Sequence, residues 1–168
     1  SFYNKNSAKY EIREENLVLS AEEMVSYYEN LLRKYPIIYL EDPLYEESLE
    51  EWVALYKKLS RRTMIVGDDL VVTNTSLLKN ALDPKCINAV IVKPNQIGTL
   101  SETLDFIKLA QNNDLVTTVS HRSGDTAEDT FVSDLALGIS AEFVKFGAPA
   151  RGERVVKYNR LLDLSHRV

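Results

Sequence analysis

Cysteine is almost missing from this chain of 168 residues. Cys86 stands alone, so no internal disulfide can form, and the sequence fits a reducing compartment such as the cytoplasm. That thiol follows the turn Asp83-Pro84-Lys85 and enters an apolar run, which suits packing better than reactivity. Glycine (6) and proline (5) are sparse and nowhere gathered, so no linker or low-complexity stretch is present. No apolar run reaches the roughly 20 residues of a membrane-spanning helix, and nothing at the start reads as a cleavable leader. A basic surplus is lacking too: 20 Lys and Arg stand against 25 Asp and Glu, a net charge of −5, which argues against nucleic acid as a main partner. An anionic substrate stays open, because local charge decides that. The initiator Met is also absent, and Ser1-Phe2-Tyr3 begins in mid-motif, which predicts further chain upstream.

The chain does have enough apolar material for one folded domain, 45% against 27% charged. It is dealt out in short runs. Ile37–Leu40 leads into Glu41; Met64–Val66 leads through Gly67 into Asp68 and Asp69; Ala89–Val92 leads into Lys93. Leu115–Val119 leads through Ser120 into His121 and Arg122, and Phe143–Val144 leads into Lys145. Successive polar ends lie 27, 25, 28 and 24 residues apart. That beat predicts (β/α) repeats, whose strand ends converge on one face. A sixth run, Leu17–Leu19, leads into a helix from Ser20 to Lys34, with a capping box at Ser20 and Glu23 and Met24, Tyr27, Tyr28, Leu31 and Leu32 on one face.

Between the runs the helical period returns. Ser48 and Glu51 form a second expected capping box before Leu49, Trp52, Val53, Tyr56 and Leu59. A helix near Ser76–Leu82 ends at Pro84. Thr99 and Glu102 cap a helix carrying Leu100, Leu104, Ile107 and Ala110. Asp129–Ile139 is a weaker helix with Phe131, Leu135 and Ile139 together, and the last runs from about Glu153 with Val155, Tyr158, Leu161 and Leu162 inward. Most of the nine tyrosines are expected on helical faces. The fold class is therefore α/β: a partial TIM-like (β/α) barrel of five βα units, with an irregular start and a helix before them. A closed barrel needs eight strands, so five leave two edges open.

Two carboxylates at neighbouring strand ends, Glu41 and Asp68, can hold Mg²⁺, a hard ion that prefers oxygen; singly, each reads better as a helix cap, but both at strand ends with Asp42 and Asp69 beside them favour the metal. Asp42, before Pro43, is expected to order its loop, with Asp69 in a supporting place. Lys93 ends an apolar strand, where burial and neighbouring cations make a lysine a usable base; a solvated strand-end lysine is the alternative, and Lys145 shares both readings. His121-Arg122-Ser123-Gly124 suits a phosphate, with arginine and hydroxyl donors and a glycine permitting close approach, or else forms an ordinary polar loop. His166, on a polar helix, receives no role.

These segments resemble the enolase family. Tyr39-Leu40-Glu41-Asp42-Pro43 resembles its glutamate metal-ligand motif, and Val66-Gly67-Asp68-Asp69-Leu70 with Val72-Thr73-Asn74 its aspartate motif. Lys93-Pro94-Asn95-Gln96-Ile97-Gly98-Thr99 looks like the catalytic-lysine segment, and Ser120-His121-Arg122-Ser123-Gly124-Asp125-Thr126 the substrate loop. Lys145-Phe146-Gly147-Ala148 resembles the second lysine site. The resemblance implies a glycolytic lyase that dehydrates 2-phosphoglycerate to phosphoenolpyruvate. Lys93 would take the C2 proton, Glu41 and Asp68 would hold Mg²⁺, and His121, Arg122, Ser123 and Lys145 would contact the substrate. A Lys or His base beside Mg²⁺ is the established scheme of that superfamily and is taken from it.

It further implies a homodimer or larger homo-oligomer in the intact enzyme. Residues 1–168 would be the carboxyl-terminal portion of the barrel domain. The family's amino-terminal domain, first barrel strands, third metal aspartate and general-acid glutamate would all lie upstream, so this chain alone is expected to be inactive. A catalytically inactive fragment serving as a structural or binding module is the rival reading. Another proton-abstracting enzyme of the superfamily is a third, disfavoured by the His121–Gly124 cluster and Lys145.

Overall fold

The computed structural model describes residues 2–166, which fall into two compact units. The first comprises residues 2–70 and 79–88. It opens with an antiparallel meander, β1 (Tyr3–Asn4), β2 (Lys9–Ile12) and β3 (Leu17–Leu19), where an irregular start was expected. Tyr10 and Ile12 are buried and Lys9 is exposed, the alternation of a half-buried strand. Strands of two to four residues are too short for that period to be legible in sequence.

Helix α1 (Ala21–Lys34) begins at the expected capping box: Ser20 Oγ accepts from the Glu23 N–H at 3.2 Å, and the Glu23 carboxylate accepts from the Ser20 N–H at 2.8 Å. Tyr35 turns extended, as a residue before proline must. β4 (Tyr39–Glu41) and β5 (Met64–Gly67) pair in parallel, with Glu41 opposite Val66. The expected buried strand Ile37–Leu40 is thus displaced toward Glu41 and only half-buried, with Ile38 63% exposed.

Between them runs α2 (Leu49–Leu59), anchored by buried Trp52, Leu55 and Leu59. Its expected capping box does not form. Ser48 has ψ 58 rather than an extended conformation, and the Glu51 carboxylate accepts instead from the Tyr10 hydroxyl at 3.3 Å. Helix α3 (Thr75–Leu82) contributes to both units.

The second unit comprises residues 71–78 and 89–166. Its strands are β6 (Ala89–Val92), β7 (Val116–Ser120) and β8 (Phe143–Lys145), and β7 pairs in parallel with both others. Val92 lies opposite Val119, and Ser120 opposite Lys145. A short helix, α4 (Pro94–Ile97), was not expected; Pro94 starts it and Gly98, at φ 98, closes it. Helix α5 (Leu100–Gln111) follows its Thr99 cap and buries Phe106, Ile107 and Ala110, leaving Leu100 exposed.

α6 (Phe131–Gly138) packs through Val132, Leu135 and Ala136, so Phe131, expected inward, is exposed. α7 (Gly152–Ser165) gives a larger surprise: Leu162 is 61% exposed, and the residue with no exposed surface is Lys157. The tyrosines also differ from expectation, since Tyr3, Tyr10 and Tyr39 are on strands and Tyr45 on a loop, where it stacks on Tyr3 with centroids 4.3 Å apart. Five parallel strands each followed by a helix, with α1 before them, bear out the α/β class and the five βα units. No described helix is long and apolar enough to cross a membrane.

Candidate active site

In the first unit the acids gather just beyond two paired strands. Glu41 ends β4, and Asp68 follows β5 with only 5% of its surface exposed. Asp42, at φ 39, turns its carboxylate back so that its two oxygens accept from the N–H groups of Asp68 (2.9 Å) and Asp69 (2.8 Å). Asp42 therefore orders the turn that presents Asp68, as expected of it. Burial pushes its carboxyl up to about 6 despite those donors, and the Asp68 and Asp69 carboxylates push the same way.

Carboxylate oxygens of Asp42, Asp68 and Asp69 lie within 4.8 Å of one another. A donor set made wholly of carboxylate oxygen fits a hard divalent cation such as Mg²⁺. Glu41 lines, with Asp42 and Asp69, a cavity of about 290 Å³ walled by Tyr3, Tyr10 and Tyr28. The oxygen cluster thus contains Asp68 of the two expected ligands, and Glu41 borders the cavity beside it.

In the second unit the expected substrate groups sit at the carboxyl ends of three neighbouring strands: Lys93 after β6, His121 to Ser123 after β7, and Lys145 closing β8. Lys93 and His121 are half-buried, whereas Arg122, Ser123 and Lys145 are exposed. The ends of β7 and β8 are pinned together: the His121 N–H donates to the Lys145 carbonyl at 3.1 Å, and the buried Ser120 hydroxyl reaches both that carbonyl (3.2 Å) and its neighbour on His121 (2.9 Å). The His121 imidazole is held below its ordinary value, first by burial and then by Arg154, Lys157 and Lys145, with Asp125 opposing them.

Thr73, Asp125 and Gly147 lie within the motifs without a role assigned from sequence, and Arg154 and Lys157 lie outside them. Thr73, buried and left-handed at φ 56 beside Val72 at φ 39, accepts the Lys93 N–H on its hydroxyl at 2.9 Å and donates to Gln96 at 3.0 Å. Two successive β-branched residues in that region are strained, and here the strain places an acceptor under Lys93. Arg154 packs against Gly147, where an added Cβ would come within 3.0 Å of the arginine and 3.2 Å of His121 Nε2. Gly147 also has φ 75, so only glycine suits it. Lys157, fully buried, and Asp125, half-buried, form an ion pair at 3.2 Å. The signal for Lys157 was its place four residues before Leu161 on one helical face, but lysine there reads as solvated.

The chain matches, over residues 1–168, the family described as enolase, C-terminal TIM barrel domain, and belongs to it. It is 48% identical over 161 residues to an enolase of Sulfurisphaera tokodaii, covering 96% of this chain and 38% of that protein. It is 47% identical to enolases of Helicobacter pylori (157 residues; 94% and 37%) and of a Nitratiruptor species (156 residues; 93% and 37%). The chain thus spans well under half the length of the curated relatives it matches. Membership bears out the resemblance and the TIM-like barrel class.

Proposed function

We propose that this chain is the part of an enolase that carries the proton-abstracting base, in an enzyme that dehydrates 2-phosphoglycerate to phosphoenolpyruvate in the cytoplasm. The observation that carries the reading is the alignment of Lys93, His121–Ser123 and Lys145 at the same end of three adjacent parallel strands. Lys93 removes the C2 proton. Arg122 and Ser123 hold the phosphate through charged and hydroxyl donors, and the exposure of both residues and of Gly124 suits an incoming ligand. His121 and Lys145 contact the rest of the anion.

Glu41 and Asp68 hold Mg²⁺ in this reading, with Asp42 fixing the turn. When bound, the ion supplies positive charge for a carboxylate that gains a second negative charge as the proton leaves. Protonation of the leaving hydroxide falls to a general acid outside residues 1–168, as the family resemblance implies. The intact enzyme is a homodimer or larger homo-oligomer by the same resemblance.

The test is Mg²⁺-dependent formation of phosphoenolpyruvate by the product of the full reading frame that encodes this chain. Turnover there, lost with chelator and lost in Lys93→Ala, is expected. Strong turnover by residues 1–168 alone would contradict the external acid, and no turnover by the full product would contradict the activity.

A further inference from the structure

We infer that Lys157 is a positioning residue for the phosphate loop, acting through Asp125 on Arg122. This rests on the proposed role of Arg122. Lys157 has no exposed surface, although Leu162 on the same helix is open to solvent. Its ammonium donates to the Glu153 carbonyl one turn earlier at 2.9 Å and pairs with Asp125 Oδ2 at 3.2 Å. That same carboxylate oxygen accepts the backbone N–H of Arg122 at 3.3 Å. The chain of contacts therefore runs from the interior of α7 to the backbone of the arginine that meets the substrate.

Two physical points favour positioning over simple cohesion. A buried ion pair adds little net stability over apolar residues of the same size, so cohesion alone does not call for a lysine here. And residues 121–130 form no helix or strand, so side-chain tethers set where the loop sits. α6 secures the other end of the arrangement, since Ser133 Oγ donates to the Lys157 carbonyl at 2.9 Å. Lys157 is thus held from both sides, and the loop is hung from it.

The experiment uses the full reading frame with Lys157→Met, Asp125→Asn, the double variant and Lys157→Arg. Amide exchange across residues 121–126 is measured beside KM and kcat for 2-phosphoglycerate. Each single variant is expected to speed loop exchange and raise KM about tenfold, as removal of an orienting partner does, with kcat changed far less. The double variant is expected to match the worse single one, and Lys157→Arg to recover most of the loss. Should Lys157→Met fail to fold, Asp125→Asn, which removes the charge but keeps an acceptor, decides alone. Loop exchange unchanged in these variants, or accelerated equally through α6 and α7, would overturn the inference. If the wild type makes no phosphoenolpyruvate, the enzymatic reading fails by itself, and loop exchange still decides the role of Lys157.

Discussion

Thr73 and Lys93 show what a single hydrogen bond can ask of a backbone. The threonine stays in a left-handed conformation that β-branched residues avoid, and its hydroxyl thereby meets the Lys93 N–H. Thr73→Val keeps the shape and removes that acceptor. It is expected to cost about 1–3 kcal/mol, read as a lower urea midpoint. His121 offers a second test. Its pKa is depressed in the folded state, so the folded chain binds fewer protons than the unfolded one in the window below the usual histidine value. Its contribution to stability is present above the unfolded pKa and lost as pH falls through the folded one. Proton NMR should find its midpoint below about 6.5, lower still in Asp125→Asn and higher in Arg154→Met. A midpoint above the usual value would contradict the cation cluster described around it. The roles of Thr73 and Arg154 were not legible in sequence, because each depends on a contact between residues distant along the chain; Asp125 lies only four residues from His121, and its part depends on how the loop folds back.

At the scale of elements, the two serines that open helices make a matched pair. Ser20 caps α1 through its side chain; Ser48 makes no such bond at α2. Ser20→Ala is expected to cost about 1 kcal/mol, and Ser48→Ala nearly nothing, by thermal or denaturant unfolding. Equal losses would contradict the assigned caps. The contrast also marks how far sequence reading reaches. Both sites carry the same Ser-x-x-Glu pattern, but only a structure shows Tyr10 drawing Glu51 away. Strands β5 to β8 were legible because their apolar runs, of two to five residues, end sharply in polar or charged residues. The meander was not, and helix faces were legible in part: α1 buries the expected Met24 and Leu32 but also Val25, and α2 the expected Trp52 and Leu59 but also Leu55. They were misread in α6 and α7, where Phe131 and Leu162 face solvent and a lysine is buried.

For the molecule as a whole, the account assigns acids to the metal and cations to the substrate. That Glu41, Asp68, Lys93, His121 and Lys145 fall at or just past strand ends was legible because each closely follows an apolar run. The groups that orient them were not, Asp42 excepted. Asp42→Ala removes both acceptors that hold the turn at Asp68, and it is expected to weaken Mg²⁺ binding about 10- to 100-fold by calorimetry. Unchanged affinity would place the ion elsewhere. The central claim is that Lys93 removes a carbon-bound proton. The most direct measurement follows deuterium entering C2 of 2-phosphoglycerate in heavy water, with the full reading frame, Mg²⁺, and either Lys93 or Lys93→Ala. The account predicts incorporation with Lys93 and none above background in the variant, though the variant still binds the substrate. Incorporation at the same rate in both would contradict it.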